Sequence, residues 1–308
     1  MPPVSYSPGP KGKGLFLFGK RGQTHVFRVA CAPGRWHVSG MHTLGAYPDV
    51  TTCPACGSHS RMPHAHTLYQ VCTDCGSVYQ HTGRTNVDDY YHHQPIDFSF
   101  QRGSYRQYLA WLKAHHTLRG TETLIDVGAG DGTFLDTAAP LFATRKGVES
   151  SAIAREVLAR KGYLAELDVL KATRPKVVTA FQVIEHVDDP VAFLKNLHLG
   201  PGDVALLTSP AVDSRTAHRE KGRWRNLSPS HHLALFSRKG LEAACARAGL
   251  EVATYDFAWA ACHGGWDNLR LHVLQWLKWP IKRLIGRKDR FPPYHGRESF
   301  IALLRPKA

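Results

Sequence analysis

The stretch Leu124-Ile-Asp-Val-Gly-Ala-Gly-Asp-Gly132 reads as the end of a buried strand running directly into a glycine-rich turn. The apolar spacing of Thr133-Phe-Leu-Asp-Thr-Ala-Ala139 suits a helix beyond it. A strand, a tight turn and a helix start in this order make a place for a nucleotide-like ligand. Glycines let the backbone approach the ligand, and the unpaired N–H groups of a first helical turn are expected to face it. The glycines fall at 128, 130 and 132, with Asp126 two residues ahead. The dinucleotide fingerprint G-x-G-x-x-G requires glycine at 133, where this chain has Thr. That departure favours S-adenosylmethionine (SAM) over NAD.

Downstream the pattern alternates strand and helix, as a parallel sheet requires. Strands are expected at Lys146–Glu149, Tyr163–Leu167, Lys176–Val183, Asp203–Thr208, Glu251–Trp259 and Ser299–Leu304. Helices are expected after Ser150 or Ser151, over Val191–Leu197, and from Ser237 to Ala248 with Gly249 closing the last. The fold class is α/β, a Rossmann-like sheet with helices on both faces. A long loop, Pro210–Phe236, interrupts the alternation.

Ahead of this domain lie two knuckles, Cys53-Pro-Ala-Cys56-Gly57 and Cys72-Thr-Asp-Cys75-Gly76, with fifteen residues between the pairs. Each offers two thiolates from a tight turn, and two knuckles close a tetrahedral site of the kind structural Zn2+ prefers. Metal binding then supplies folding energy that so short a module cannot obtain from a core. His59, His64 and His66 lie between the knuckles, as surface residues or as a substitute ligand. Seven cysteines, four of them in these pairs, argue for metal in a reducing compartment rather than a disulfide framework. With no apolar run of membrane-spanning length and no signal peptide, the expected location is cytoplasmic.

The net charge of +14 sits at the ends: residues 1–40 hold six Lys/Arg and no acid, and residues 259–308 hold ten Lys/Arg against three acids. A nucleic-acid enzyme more often spreads basic charge over its active face. Residues 1–45 read as a mostly disordered basic segment, in which Leu15–Phe18 and Val26–Val29 can pair as a hairpin across Gly19–Gly22. Met41 is an alternative translation start, tested by the intact mass of natively expressed protein. Residues 46–85 form the zinc-ribbon module and 86–120 a linker with a lead-in helix carrying Tyr105, Tyr108, Leu109 and Leu112 on one face. The remainder, 121–308, is the main domain with a helical insertion at 264–290. Within it Trp266–Arg287 is strongly apolar with interspersed basic residues and Pro280, open to readings as a packed helix, a dimer contact or an interfacial membrane helix.

In a sheet of this kind ligands bind at the carboxyl ends of the strands. Glu149 ends the second strand, where a carboxylate can bond the two hydroxyls of a ribose. Asp168 ends the third, either to accept from an adenine amino group or to cap the next helix. Phe181 and Gln182 end the fourth and would lie beside a methyl donor.

Four pieces, Asp126–Gly132, Val148-Glu149-Ser150, Phe181-Gln-Val-Ile-Glu-His-Val-Asp-Asp-Pro190 and His231-His-Leu-Ala-Leu-Phe-Ser237, together resemble class I SAM-dependent methyltransferases. The Glu185-His186 piece is similar to the branch of ubiquinone-biosynthesis O-methyltransferases, and the leading zinc module to sugar C-methyltransferases, which also share a segment like Tyr90-Tyr91. The resemblance implies a seven-stranded sheet with an antiparallel last strand. It implies that Gly128, Ala129 and Gly130 contact the methionine part of SAM, Glu149 with Ser150 the ribose side and Asp168 the adenine, while Asp126 reaches the amino group through water. Methyl transfer is an in-line displacement, so a base is needed only where the acceptor must lose a proton; His186, His231 and His232 are the candidates. Arg215, Arg219, Arg223, Trp224 and Arg225 would cover the acceptor and could bind an anionic group on it, or form a mobile basic surface. The expected activity is methyl transfer to a small-molecule acceptor, a sugar-, quinone- or lipid-linked O, N or C nucleophile. Competing readings are an RNA methyltransferase gripping nucleic acid through zinc ribbon and basic ends, and a SAM-binding module without turnover. Acceptor and oligomeric state are not legible in the sequence.

Overall fold

The computed structural model describes residues 49–82, 97–229, 231–258 and 297–307, with backbone strands alone between 25 and 43. In chain order these residues form β1 (Arg61–Pro63), β2 (Tyr69–Cys72), β3 (Val78–Gln80), α1 (Arg102–His115), β4 (Thr123–Val127), α2 (Thr133–Thr137), β5 (Arg145–Val148) and α3 (Ala152–Arg160). They continue through α4 (Val169–Ala172), β6 (Lys176–Phe181), α5 (Pro190–Lys195), β7 (Val204–Pro210), α6 (Arg215–Glu220), β8 (Ala234–Leu235), α7 (Arg238–Arg247), β9 (Leu250–Ala258) and β10 (Ser299–Pro306).

The main sheet has six strands in the order β9-β10-β7-β6-β4-β5. β4, β5, β6 and β7 run parallel, and β10 lies antiparallel between β7 and β9. Every residue of β7 is buried, and so is every residue of β6 except Phe181. That explains why both read as continuous apolar runs: a parallel sheet covered on both faces has no solvent side to pattern. The expected third strand over Tyr163–Leu167 is reduced to one bridge, Gly147 to Leu164. Gly162, at φ +74°, turns the chain out of α3 immediately before it, and α4 begins at Val169, so too few residues stay extended. The sheet is therefore six-stranded, with the antiparallel last strand in place.

A second sheet, in the order β8-β3-β2-β1, carries the cysteine knuckles. Its strand β8 comes from the main domain, Ala234 pairing with Tyr79 and Leu235 with Val78. The cores are likewise continuous: Cys53, Ala55, Cys72, Cys75 and Tyr79 share one cluster with Phe236, Leu241, Ala244 and Cys245. α7 approaches the second knuckle so closely that a Cβ at Gly240 would stand 1.8 Å from Ser77 Oγ. Any larger residue there would force Ser77 to move.

α1 buries Tyr105, Tyr108, Leu109 and Leu112, the face anticipated from their spacing. Between 25 and 43, His25–Val26 pairs with His42–Thr43 and Val29–Ala32 with Arg35–Val38, whereas Leu15–Phe18 lies outside the described residues. Tyr90-Tyr91 and the insertion 264–290, with Trp266–Arg287, also lie outside them. Among the described residues no helix is long and apolar enough to cross a membrane.

Candidate functional site

The glycine turn follows β4 with Gly128, Gly130 and Gly132 at φ +74°, +54° and +76°, backbone states that side-chain-bearing residues rarely adopt. Its N–H groups turn inward. Gly128 and Ala129 donate to the Val148 carbonyl at 2.8 and 3.2 Å, and Gly130 donates to Glu149 Oε2 at 2.8 Å. The start of α2 is closed by Asp131, whose Oδ1 accepts from Thr133 N and whose Oδ2 accepts from Phe98 N. The expectation of free helix N–H groups facing a ligand is corrected for the first of them: Asp131, two residues ahead, accepts from Thr133 N. The Gly128 and Gly130 carbonyls accept none of these bonds. Together with two carboxylates, they suit a cationic group better than a phosphate.

Those carboxylates belong to Asp126 and Glu149. Asp126 and Thr179 are direct neighbours across β4 and β6, and Thr179 Oγ1 donates to Asp126 Oδ1 at 2.6 Å. Burial pushes the Asp126 carboxyl up to about 7, with the Thr179 hydrogen bond opposing and the nearby Glu149 charge adding to the rise. Glu149 is half-buried; its Oε1 accepts from Ser150 N at 2.7 Å and Ser151 N at 2.9 Å. It therefore ties the glycine turn to the start of α3, and Ser150 adds its hydroxyl at 3.3 Å.

At the carboxyl end of β6 a second cluster forms. Glu185 and His186 occupy the short turn Ile184–His186, and His231 and His232 approach from the loop before β8. Ring centroids are 5.0 Å apart for His186 and His232, 5.8 Å for His186 and His231, and 4.6 Å for His231 and His232. His186 Nδ1 donates to the His231 carbonyl at 2.7 Å and His232 Nδ1 to the Asn226 carbonyl at 2.6 Å. Burial holds His186 down at about 4 and His232 at about 3, so both rings are neutral near pH 7; partial burial lowers His231 as well. The cluster is clamped from the cysteine module: Tyr69 Oη donates to the His232 carbonyl at 2.8 Å, and Gln80 N to the Leu233 carbonyl at 2.9 Å. From the other side Leu233 N donates to the Glu185 carbonyl at 2.7 Å.

The four cysteines converge. Cys53 and Cys75 sulfurs are 3.7 Å apart, and Cys56 and Cys72 sulfurs 3.5 Å. A tetrahedron with metal–sulfur bonds of about 2.3 Å has edges of about 3.8 Å, so this is the spacing of a four-thiolate metal site and far too long for disulfides. Gly57 N and Gly76 N donate to the Cys53 and Cys72 carbonyls, with φ of +81° and +77° closing each knuckle. Among the described residues His59, His64 and His66 are not part of this group.

The remaining predicted positions are more dispersed. Asp168 is exposed at the start of α4 and its side chain makes no capping bond. Phe181 packs among Tyr105, Tyr108 and Phe134, with ring centroids 4.7–5.9 Å away. Gln182, at φ +56°, directs its amide to Thr208 Oγ1 and Ser299 Oγ. In the loop after β7, Trp224 is buried, and Glu298 Oε2 accepts from Trp224 Nε1, Arg225 Nε and Asn226 Nδ2 at 3.1–3.3 Å. Arg225 is therefore engaged by an internal carboxylate, while Arg215, Arg219 and Arg223 are exposed. Glu298→Ala strips a buried indole N–H of its acceptor, an expected cost of about 2–3 kcal/mol. Thermal melting should fall by roughly 5–10 °C; an unchanged melting point would show that this loop is held by other means.

Sequence reasoning missed Phe98, Asp131, Thr179, Tyr69 and Glu298. Phe98 lies against the glycine turn, where a Cβ at Gly130 would meet its ring at 2.5 Å. Asp131 lies inside the glycine motif but the others belong to no local motif, and each acts at least in part on a partner remote in sequence or across strands.

A six-stranded sheet of this topology, with a glycine turn at the carboxyl end of a parallel strand, is a Rossmann-like α/β architecture of the kind found in methyltransferases. Residues 100–255 match the family model described as "Methyltransferase domain". The chain belongs to that family. No curated protein matches the sequence. Among solved structures it is similar to a SAM-dependent methyltransferase from Anabaena variabilis, at 12% identity and a TM-score of 0.50, covering 72% of this chain and 96% of that one. It also resembles magnesium protoporphyrin IX methyltransferase from Synechocystis, at 15% identity and a TM-score of 0.45, covering 72% and 98%. A third is the complex of a Haloferax volcanii methyltransferase with the Trm112 activator, at 14% identity and a TM-score of 0.45, covering 68% and 90%.

Proposed function

We propose that this protein transfers a methyl group from SAM to a small-molecule acceptor, a sugar-, quinone- or lipid-linked O, N or C nucleophile, in the cytoplasm. The observation that carries the reading is the pairing of a carboxylate-lined glycine turn with a histidine cluster at the same edge of the sheet. SAM when bound supplies an electrophilic methyl on a sulfonium. Gly128, Ala129 and Gly130 would hold its methionine part, with Asp126 placed to meet the ammonium. Glu149 and Ser150 bind the ribose side, Asp168 the adenine, and Phe181 and Gln182 flank the donor. Phe98 covers the turn and keeps water from it.

Of the three imidazoles, His186 and His231 are half-buried and His232 is buried, and His231 takes the acceptor's proton. The His186 and His232 rings lie against it and fix its position. Exposed Arg215, Arg219 and Arg223 favour an acceptor with an anionic group. The four cysteines hold Zn2+ in a structural role, because the sulfur spacing closes the coordination shell and leaves no open position. Titration calorimetry with SAM, then labelled-methyl transfer into a cell extract, tests the whole reading. Saturable SAM binding without any labelled product across varied extracts would favour a binding module.

Asp126 gives the SAM reading a pH signature. Its carboxyl titrates near 7 when free, and a cationic ligand beside it favours the charged form. SAM binding at pH 6.5 therefore releases protons, and affinity rises between about pH 6 and 8 before levelling. In the unliganded protein the sign is opposite: because the pKa is raised on folding, the stability Asp126 contributes is present below about pH 4 and lost as pH rises through about 7. Calorimetry in two buffers of different ionisation enthalpy measures the release; identical heats in both would refute it.

A further inference from the structure

Glu185 is an anomaly in this fold. Its side chain is fully buried, 0% exposed, and neither carboxylate oxygen accepts a hydrogen bond from the described residues. Ser209 Oγ, also fully buried, likewise makes none. A buried carboxylate without partners is costly unless it is neutralised or faces a cation. The neighbouring Ser209 hydroxyl faces the carboxyl group without closing a hydrogen bond on it.

The surroundings supply nitrogen ligands. His232 is buried, and its Nδ1–H is committed to the Asn226 carbonyl, so the neutral ring carries its lone pair on Nε2. His186 Nδ1 is likewise held by the His231 carbonyl, and its Nε2 stands 4.0 Å from Glu185 Oε1. An imidazole N–H given to a backbone carbonyl is the outer support that metal-binding histidines usually have. One ligand atom from each of Glu185, His186 and His232 can be chosen so that all lie within 4.8 Å of one another.

We propose that Glu185, His186 and His232 bind a divalent transition-metal cation, at a site separate from the four cysteines. Two imidazoles and one carboxylate, without thiolate, suit Zn2+, Fe2+, Mn2+ or Co2+ better than Mg2+ or Ca2+. Bonds of about 2.0–2.2 Å to nitrogen and oxygen require donor atoms about 3.0–3.5 Å apart, so small side-chain rotations close the set. Three protein ligands leave open positions for oxygen donors, and the adjoining His231 places that opening beside the proposed acceptor. The site itself stands independently of whether the chain methylates anything.

The test uses the full-length protein with its cysteine site zinc-loaded, titrated with Co2+ alone and followed by absorbance and native mass spectrometry. The wild type should take up one further equivalent of metal, with weak d–d bands and no sulfur-to-cobalt charge transfer. Glu185→Gln and His232→Ala should each weaken that uptake by more than about 100-fold, beyond what loss of an outer support costs, while retaining zinc at the cysteines. Wild type that binds no metal beyond the cysteine site overturns the proposal, as does unchanged cobalt uptake in Glu185→Gln. Charge transfer on adding cobalt would show displacement at the thiolates and also count against it. If a variant fails to fold, the wild-type stoichiometry still decides.

Discussion

Cys72→Ser is expected to unfold the cysteine module and to lower the melting temperature of the whole chain by 10 °C or more, roughly 5 kcal/mol. Loss of a ligand to a structural metal removes free energy that a short module cannot recover from its core. Here the damage should spread, because the module is not a detachable appendage. β8 of the main domain completes its sheet, Tyr69 and Gln80 bond the segment carrying His232 and Leu233, and Ser237 Oγ donates to the Cys75 carbonyl. The Arg247 guanidinium also bonds the Pro54 and Ala55 carbonyls from α7. Strong chelators should produce the same cooperative loss as the substitution, with one transition by circular dichroism and by tryptophan fluorescence. Two separated transitions, with the main domain melting at its original temperature, would contradict this coupling.

Gly128→Ala should weaken SAM binding by more than about 100-fold, close to 3 kcal/mol. Two causes add. The residue sits at φ +74°, which costs an L side chain about 1–2 kcal/mol, and its Cβ would stand 2.6 Å from Val183 Cγ2. Val183 lies between Gln182 and the Glu185-His186 turn, so relief of the clash disturbs both halves of the site. Gly120→Ala is the control: its φ is +80°, yet nothing lies within 4 Å of the added Cβ, and it precedes β4 at the opposite end of that strand. It should lose some stability and bind SAM normally. Equal SAM affinity in Gly128→Ala and wild type would place the donor elsewhere.

What could be read in the sequence was whatever chemistry concentrates locally. The glycine turn, the two knuckles and the buried runs of β6 and β7 each declare themselves within ten residues or so. Glu149 was legible because it follows a strand at a fixed interval from the turn. Asp131 was not, although it lies inside the motif: its role depends on Phe98 arriving from thirty residues upstream. The union of cysteine module and main domain was equally hidden, since β8 is only Ala234-Leu235, too short to show any periodicity. Glu185 sits in a motif without standing out in it, because burial is a property of packing and has no signature in one chain. The third strand failed for the opposite reason: Tyr163–Leu167 has the composition of a strand, but the turns on either side leave it room for a single bridge.

The central claim is methyl transfer from SAM to a small molecule, and label transfer tests it most directly. Purified protein is incubated with methyl-labelled SAM and a cell extract, and the extract is then separated into small-molecule, lipid, nucleic-acid and protein fractions. Label is expected in the small-molecule or lipid fraction, lost with Gly128→Ala and strongly reduced with His231→Ala. Label confined to RNA or protein, or none from a preparation that binds SAM, would contradict it.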